Sequence, residues 1–469
     1  MNKTSQQSAG FTVFAFTWAM AGLFHQLSFT DWRWYDIKGI ALSCAILWVL
    51  FKPSSWQRFA LFLVVDWVSV AWAFPIHPNH IVFSWIVNGT LLAALVMVVG
   101  KGKDIPETNL ASRWYAAFAP WVRIELCMLY FFTVFHKLNV SYFDLDWSCA
   151  VRMQVEINDR MPLLPEGKWA KYATVYGTLI IETIIPLFLL FGRTRVAGVI
   201  LGMLFHGLLA LHPHAGLFSF SATMTALFTV FLPLSTATAL MPKNEIRKVW
   251  QWILSVLGIM LLFWIARKLL PSELRLDEKL AQHWKAGFFV YYIYLAVGFI
   301  MLIRALKTEQ SEVRPAEGSW RTYPLLISFA MLLFANGFGP YLGLRTQTSF
   351  SMFSNLHTEN GRSNHLIVPS GIQLTDWQYD VVEIIDSNDS GLNAIRDRGL
   401  LVVYLELRRI RSATRPDFWV SFRRNKSIET FDMARPETYS VLPPLGVLIK
   451  RYLFFRPVER DPMKVNCKH

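Results

Sequence analysis

The sequence predicts an all-α multi-span membrane helical bundle of about ten to eleven spans, followed by a small C-terminal α+β extramembrane domain. Three observations carry that expectation. The first is composition: of 469 residues, 54% are hydrophobic, 15% aromatic and 17% charged, more apolar surface than a soluble fold of this length needs to hide. The second is that apolar runs near the ~20 residues needed to cross a hydrocarbon core recur along the chain. The third is a change of texture near residue 345, after which charges fall every few positions.

In chain order the apolar runs fall around 10–28, 39–52, 58–76, 80–99, 114–137, 171–191, 195–212, 216–237, 249–270, 287–304 and 323–340. The first, behind Lys3, also reads as an uncleaved signal anchor, because no small-x-small cleavage site follows it. Loops 145–170 and 271–286 are the longest connections inside the membrane part. This divides the chain into a transmembrane domain over 10–305, a linker with the last span over 306–344, and the extramembrane α+β domain over 345–469. Within that last region DWQYDVVEII and LLVVYLELRRI read as β-rich, bounded by the turn signals SNDSG and SATRPD. Gly391 to Arg398 reads as a helical piece capped from SNDS. The basic runs RRIRSATR and FRRNK read as a solvated or headgroup-facing surface.

The net charge of +13 raises the question of a polyanionic partner. Lys and Arg are scattered through the inter-span loops and the tail, so they read as topology and surface charges, with no nucleic-acid partner. Cys44, Cys127, Cys149 and Cys467 show no CxxC or metal-ligand spacing, and no metal site is predicted. Cys149 and Cys467 pair only if both ends share an oxidising face.

Counting spans groups the polar residues of the apolar region. If the first run starts inside, His77 and His80 open the fourth span, Lys137 ends the fifth, His206, His212 and His214 close the seventh, and Phe218 to Phe220 open the eighth, all at one membrane face. A lysine at a span end ordinarily snorkels to the headgroups. Turned inward, an ammonium loses hydration, which is how a lysine becomes a usable base near neutral pH. Trp147 reads equally as a belt aromatic or as a wall of the site. Asp66, Glu125 and Glu182, with Arg123, are too costly to face lipid and are expected to pair in the interior. His206 taken singly reads as an interhelical hydrogen-bonding group.

The string HKL at 136–138, Trp147 nine positions later, Glu182, FH at 205–206, LFSFSATM at 217–224 and the earlier PNHIVF at 78–83 together resemble a known family. It is the horizontally transferred transmembrane (HTTM) domain, the membrane core of vitamin K-dependent gamma-carboxylase, and the resemblance covers roughly residues 10–305. It implies that Lys137 is the base that deprotonates reduced vitamin K or a menaquinone-type hydroquinone. It puts Asn79 and His80 beside the quinone, with His80 assisting catalysis, and gives His206 a pocket or structural role. Trp147 and Phe218 join them as candidate quinone-binding residues. In that family the deprotonated hydroquinone reacts with oxygen, and the strong base so formed removes a glutamate γ-proton so that carbon dioxide adds. A dry site suits such chemistry because water would quench the base.

Two departures bear on the substrate. His136 stands where the carboxylase has a second lysine, and its large substrate-binding lumenal region is not recognisable in 345–469. The chain therefore resembles the bacterial-type relatives, which implies a multi-pass inner-membrane protein with its C-terminal domain on the non-cytoplasmic side. Membrane lipid or quinone, and a quinone-reducing redox partner, are the partners this implies, while protein carboxylation stays open. The alternative is a noncatalytic scaffold or lipid-binding module whose tail binds a partner and whose Lys137 points to solvent.

Overall fold

The computed structural model describes residues 3–28, 37–75, 77–100, 107–240, 283–308, 324–412 and 416–467. The expected run at 249–270 and most of the loop at 271–286 lie outside these residues. The described chain is mostly helical. In order it forms α1 (Lys3–Ser28), α2 (Ile37–Phe51), α3 (Trp56–Ala73), α4 (Asn79–Gly100), α5 (Glu107–Lys137), α6 (Val140–Phe143), α7 (Cys149–Arg160) and α8 (Lys168–Leu190). These are followed by α9 (Arg195–Leu209), α10 (Ala215–Phe228), α11 (Leu234–Ala239), α12 (His283–Thr308) and α13 (Pro324–Phe338). Each apolar run within the described residues thus lies on a helix, as unbroken apolar sequence free of turn residues should.

Length separates the helices. Among the described residues α4, Asn109–Lys137 of α5, α8 and Gly287–Lys307 of α12 are long and apolar enough to cross a membrane. The 22 residues of α4 rise ~33 Å, against a hydrocarbon core of roughly 30 Å. α2, α9, α13 and Gly216–Phe231 are apolar but shorter.

The chain divides into two compact units. The first comprises Met1–Ser69, Ser84–Leu126 and Ile184–Phe329. Its core is aromatic: Phe11 sits edge-on to Phe59 at 5.6 Å and tilted on Trp114 at 5.4 Å, and Phe14 packs on Phe118 at 5.1 Å. α9 and α10 approach closely at Gly202, where a Cβ would come within 2.3 Å of the Phe228 ring, so only glycine fits. Several shielded polar groups here bond to neutral partners. Trp18 Nε1 donates to Asn88 Oδ1 (2.9 Å), Asn88 Nδ2 donates to Asp66 Oδ2 (2.7 Å), and Thr90 Oγ1 donates to Glu125 Oε1 (2.5 Å). Arg123 Nε donates to the Val230 carbonyl at 2.7 Å. The expected mutual pairing of these charged residues is therefore replaced, in this unit, by bonds to amides, hydroxyls and backbone, which satisfy a buried group as well.

The second unit comprises Val70–Phe83, Cys127–Thr183 and Ala330–His469. Beyond residue 380 it builds a four-stranded antiparallel sheet of order β2-β1-β3-β4, from β1 (Val381–Ser387), β2 (Val402–Val403), β3 (Trp419–Arg424) and β4 (Ser427–Asp432). Val382, Ile384, Val420, Phe422 and Phe431 bury one face with Leu392 and Leu407. Three short helices accompany it: α14 (Ser390–Asp397), α15 (Tyr404–Arg411) and α16 (Val447–Tyr452). α14 is the expected capped piece, with Asp389 Oδ1 accepting from Leu392 N at 2.9 Å. The run LLVVYLELRRI departs from expectation, since only Val402–Val403 is strand and Tyr404–Arg411 is helix. The reason is the side-chain spacing: Glu406 and Arg409 meet three residues apart at 2.9 Å, both buried, which needs a helical repeat. FRRNK, read as surface, supplies a hairpin whose turn residues Asn425 and Lys426 have φ of 48° and 70°, the backbone that two-residue hairpins require. A disulfide joins Cys149 to Cys467.

Candidate functional site

The second unit holds Lys137, and the helix that carries it decides where its amine goes. α5 ends at Lys137 because Asn139 leaves helical geometry and uses its side chain three ways. Nδ2 donates to the His136 carbonyl (2.8 Å) and the Ser354 carbonyl (2.6 Å), and Oδ1 accepts from Tyr142 N (2.9 Å), capping α6. The last turn of α5 is therefore tied down, with Lys137 only 6% exposed. Its Nζ donates to Glu182 Oε1 at 2.6 Å and also to Oε2. Glu182, from α8, is itself 7% exposed. Tyr142, fully buried, presents its ring 6.0 Å from Nζ. Two opposite charges out of water persist only when each satisfies the other, and here one ammonium engages both carboxylate oxygens.

A second stretch, 346–365, closes on the same turn. Val140 N donates to the Asn364 carbonyl at 3.0 Å and Leu366 N to the Leu138 carbonyl at 2.8 Å, stitching the two segments on either side of Asn139. The stretch is irregular, polar and buried: Thr346, Ser349, Asn355, His357, Glu359 and Asn364 are all shielded. Thr348, Phe350, Phe353, Asn355 and Asn360 have φ between 55° and 63°, a conformation costing non-glycine residues roughly 1–2 kcal/mol each. Side chains pin it. Asn336 Nδ2 donates to the Thr348 carbonyl (2.9 Å), Asn79 Oδ1 accepts from Phe350 N (2.6 Å), and Asn355 Nδ2 donates to the carbonyls of Trp147 (2.9 Å) and Val465 (2.7 Å). Glu359 pairs with Arg456 Nε at 2.9 Å, with His357 Nδ1 3.7 Å away, all three buried. Strain maintained by so many bonds is characteristic of positions where geometry matters to function.

The histidines are set by their partners. His136 Nε2 contacts the Ser349 carbonyl at 3.1 Å, so it carries the proton, and Nδ1 then accepts from the Tyr341 hydroxyl at 2.9 Å. His365 Nε2 donates to the Phe135 carbonyl at 2.8 Å, while Nδ1 accepts from Val368 N at 2.9 Å and Ile367 N at 3.2 Å. Burial pushes the His365 imidazole below its usual range, partly offset by the Phe135 bond. Both rings are satisfied in the neutral Nε2–H form.

Lys137, Asn79, His80 and Trp147 all belong to this unit. His80 is buried and Trp147 half-buried. Asn79 serves the backbone at Phe350. His206 and Phe218 belong to the first unit. His206 is buried among Phe205, Phe220 and Phe228, the nearest ring at 5.1 Å, and its carbonyl accepts from Ser221 Oγ at 2.8 Å. Phe218 packs on Phe24 and Tyr291, each at 6.4 Å. The sequence reading placed the 346–365 stretch in the extramembrane α+β domain without singling it out; the signal was a density of Asn, His, Ser and Thr with few charges. Chemically, the site can hold and move a proton between Lys137 and Glu182 away from water. No family profile, no curated protein and no solved structure matches the chain.

Proposed function

We propose that this is a multi-pass membrane protein in which the buried Lys137–Glu182 pair takes a proton from a lipid-soluble hydroquinone, as the resemblance to the vitamin K-dependent gamma-carboxylase core implies. The observation that carries the reading is the ion pair itself, sealed from water at the end of a long apolar helix. The buried ring of Tyr142, 6.0 Å from Nζ, offers an aromatic surface of the kind that stacks on a flat apolar ring. A hydroquinone, when bound, supplies an acidic phenolic hydroxyl and reacts onward with oxygen, and a separate reductase regenerates it. Lys137 has no free electron pair while its ammonium donates to Glu182. Transfer of one proton from Nζ to Oε1 across 2.6 Å leaves a neutral amine and a neutral acid, two forms that a dry site tolerates better than two ions. The amine then accepts the incoming proton, and the ion pair re-forms once Glu182 passes the proton it took to water outside the site. The Cys149–Cys467 disulfide favours an oxidising, non-cytoplasmic location for residues 139–170 and the C-terminal segment.

The test is hydroquinone oxidation by purified protein in detergent, with mass spectrometry of the quinone product and labelled bicarbonate present. Wild type is expected to form an epoxide, and folded Lys137→Ala to form none. Incorporation of label into an added peptide would extend the reading to carboxylation. If wild type turns over no member of a quinone series, the catalytic reading fails. A structural ion pair in a lipid-binding scaffold is then the better account.

A further inference from the structure

The first unit holds a partly open cavity of about 130 Å³ between α1, α9, α10 with the turn after it, and α12. Its wall is almost wholly carbon. Three threonines reach it, and each spends its hydroxyl proton on its own helix: Thr17 on the Val13 carbonyl (2.9 Å), Thr225 on the Ser221 carbonyl (2.8 Å) and Thr229 on the Ala226 carbonyl (2.6 Å). These hydroxyls thus have no proton left for a ligand. A cavity of that size and polarity stays dry, and empty space costs the lining its dispersion contacts.

Two further features say what fills it. The helices that form the wall are apolar on their outer faces as well, where Leu204 and Leu208 of α9 and Phe289 and Ile300 of α12 are exposed. Gly298 of α12 also lines the cavity, and an added Cβ there would meet nothing within 4 Å. Flexible Met203 and Met301 line the cavity from two helices, and such side chains adapt to an occupant of irregular shape.

We infer that this cavity is a binding site for a hydrocarbon chain, acyl or isoprenoid, whose polar head lies outside it. The inference rests on the membrane part of the proposed function and not on its proton chemistry. A chain enters because its methylenes restore the missing contacts with a wall that is almost wholly apolar, Tyr294 being the lining residue besides the threonines that carries a hydroxyl.

The experiment is photolabelling of the purified protein with diazirine-bearing fatty acid and with diazirine-bearing prenyl alcohol, adducts being mapped by mass spectrometry. Wild type should carry adducts on the facing sides of α9, α10 and α12, at Met203, Phe228 or Met301. Gly298→Leu projects a side chain into that open space and should lower that labelling by about tenfold, the change expected from excluding about two chain methylenes. Gly298→Ala, which adds a single carbon to open space, should keep both fold and labelling and so controls for damage to α12. The probe that labels more strongly tells an acyl from an isoprenoid occupant. Adducts confined to exposed Leu204 or Phe289, or undiminished labelling in a folded Gly298→Leu, would overturn the inference. Hydroquinone turnover plays no part in the readout, so loss of the proton chemistry leaves this result intact.

Discussion

Lys137 and Glu182 are each 7% exposed or less, which makes the energetics of the pair asymmetric. Removing one partner strands the other charge in a dry site, at a cost of about 3–5 kcal/mol, whereas removing both in favour of apolar groups of similar size is close to neutral. Lys137→Met or Glu182→Leu alone should therefore lower the detergent melting temperature sharply, and the double variant should recover most of the loss. Single variants as stable as wild type would mean that the pair is not desolvated. Lys137→Met also separates stability from chemistry, because in the Glu182→Leu background it leaves a stable protein without an amine. Both residues were legible as candidates from their place in apolar runs. Their meeting was not, since they stand 45 positions apart and nothing local to either run specifies the partner.

Elements show where sequence logic holds and where it stops. The apolar helices were legible because unbroken apolar sequence has one economical solution, and α14 because Asp389 marks its start. LLVVYLELRRI was not, since a short run of branched and aliphatic residues suits strand or helix until its neighbours are known. The 346–365 stretch was missed for a deeper reason: its polar side chains bond to backbone far away in sequence, as Asn355 does at Trp147 and His365 at Phe135. That arrangement makes a pH prediction. His365 Nδ1 accepts from the Val368 and Ile367 amides, which a protonated nitrogen cannot do. Its pKa in the fold lies below the ordinary 6.5, chiefly through burial, so below pH 6.5 the undocked segment binds the proton more readily. Docking is then fully stable above that pH and weakens as pH falls through it. Hydrogen exchange at Ile367 and Val368, corrected for intrinsic rates, should show less protection at about pH 5.5 than at about pH 7.5. His365→Gln should abolish the difference. Equal wild-type protection at both values would refute it.

For the molecule as a whole, the decisive constraint is the disulfide that closes a ring across 318 residues, from the start of α7 to the end of the described chain. Such a bond persists on an oxidising face, which is the side proposed above for Cys149 and the turn that follows Lys137. It also narrows the unfolded ensemble, a contribution of ~5 kcal/mol for a ring this long on chain-entropy grounds. Non-reducing peptide mapping of protein made in cells should recover the Cys149 and Cys467 peptides as one species, and reductant should lower the melting temperature. Sidedness follows from labelling intact cells in a Cys44→Ser, Cys127→Ser background. Cys467 is half-buried and Cys149 fully buried, so Cys467 is the thiol that a maleimide should reach, and only after a membrane-impermeant reductant has opened the bond from outside. Labelling that requires permeabilised cells and no reductant would show both cysteines reduced on the cytoplasmic face. The same result would move the C-terminal sheet to the inside and leave any proton taken by Lys137 to exchange with the cytoplasm.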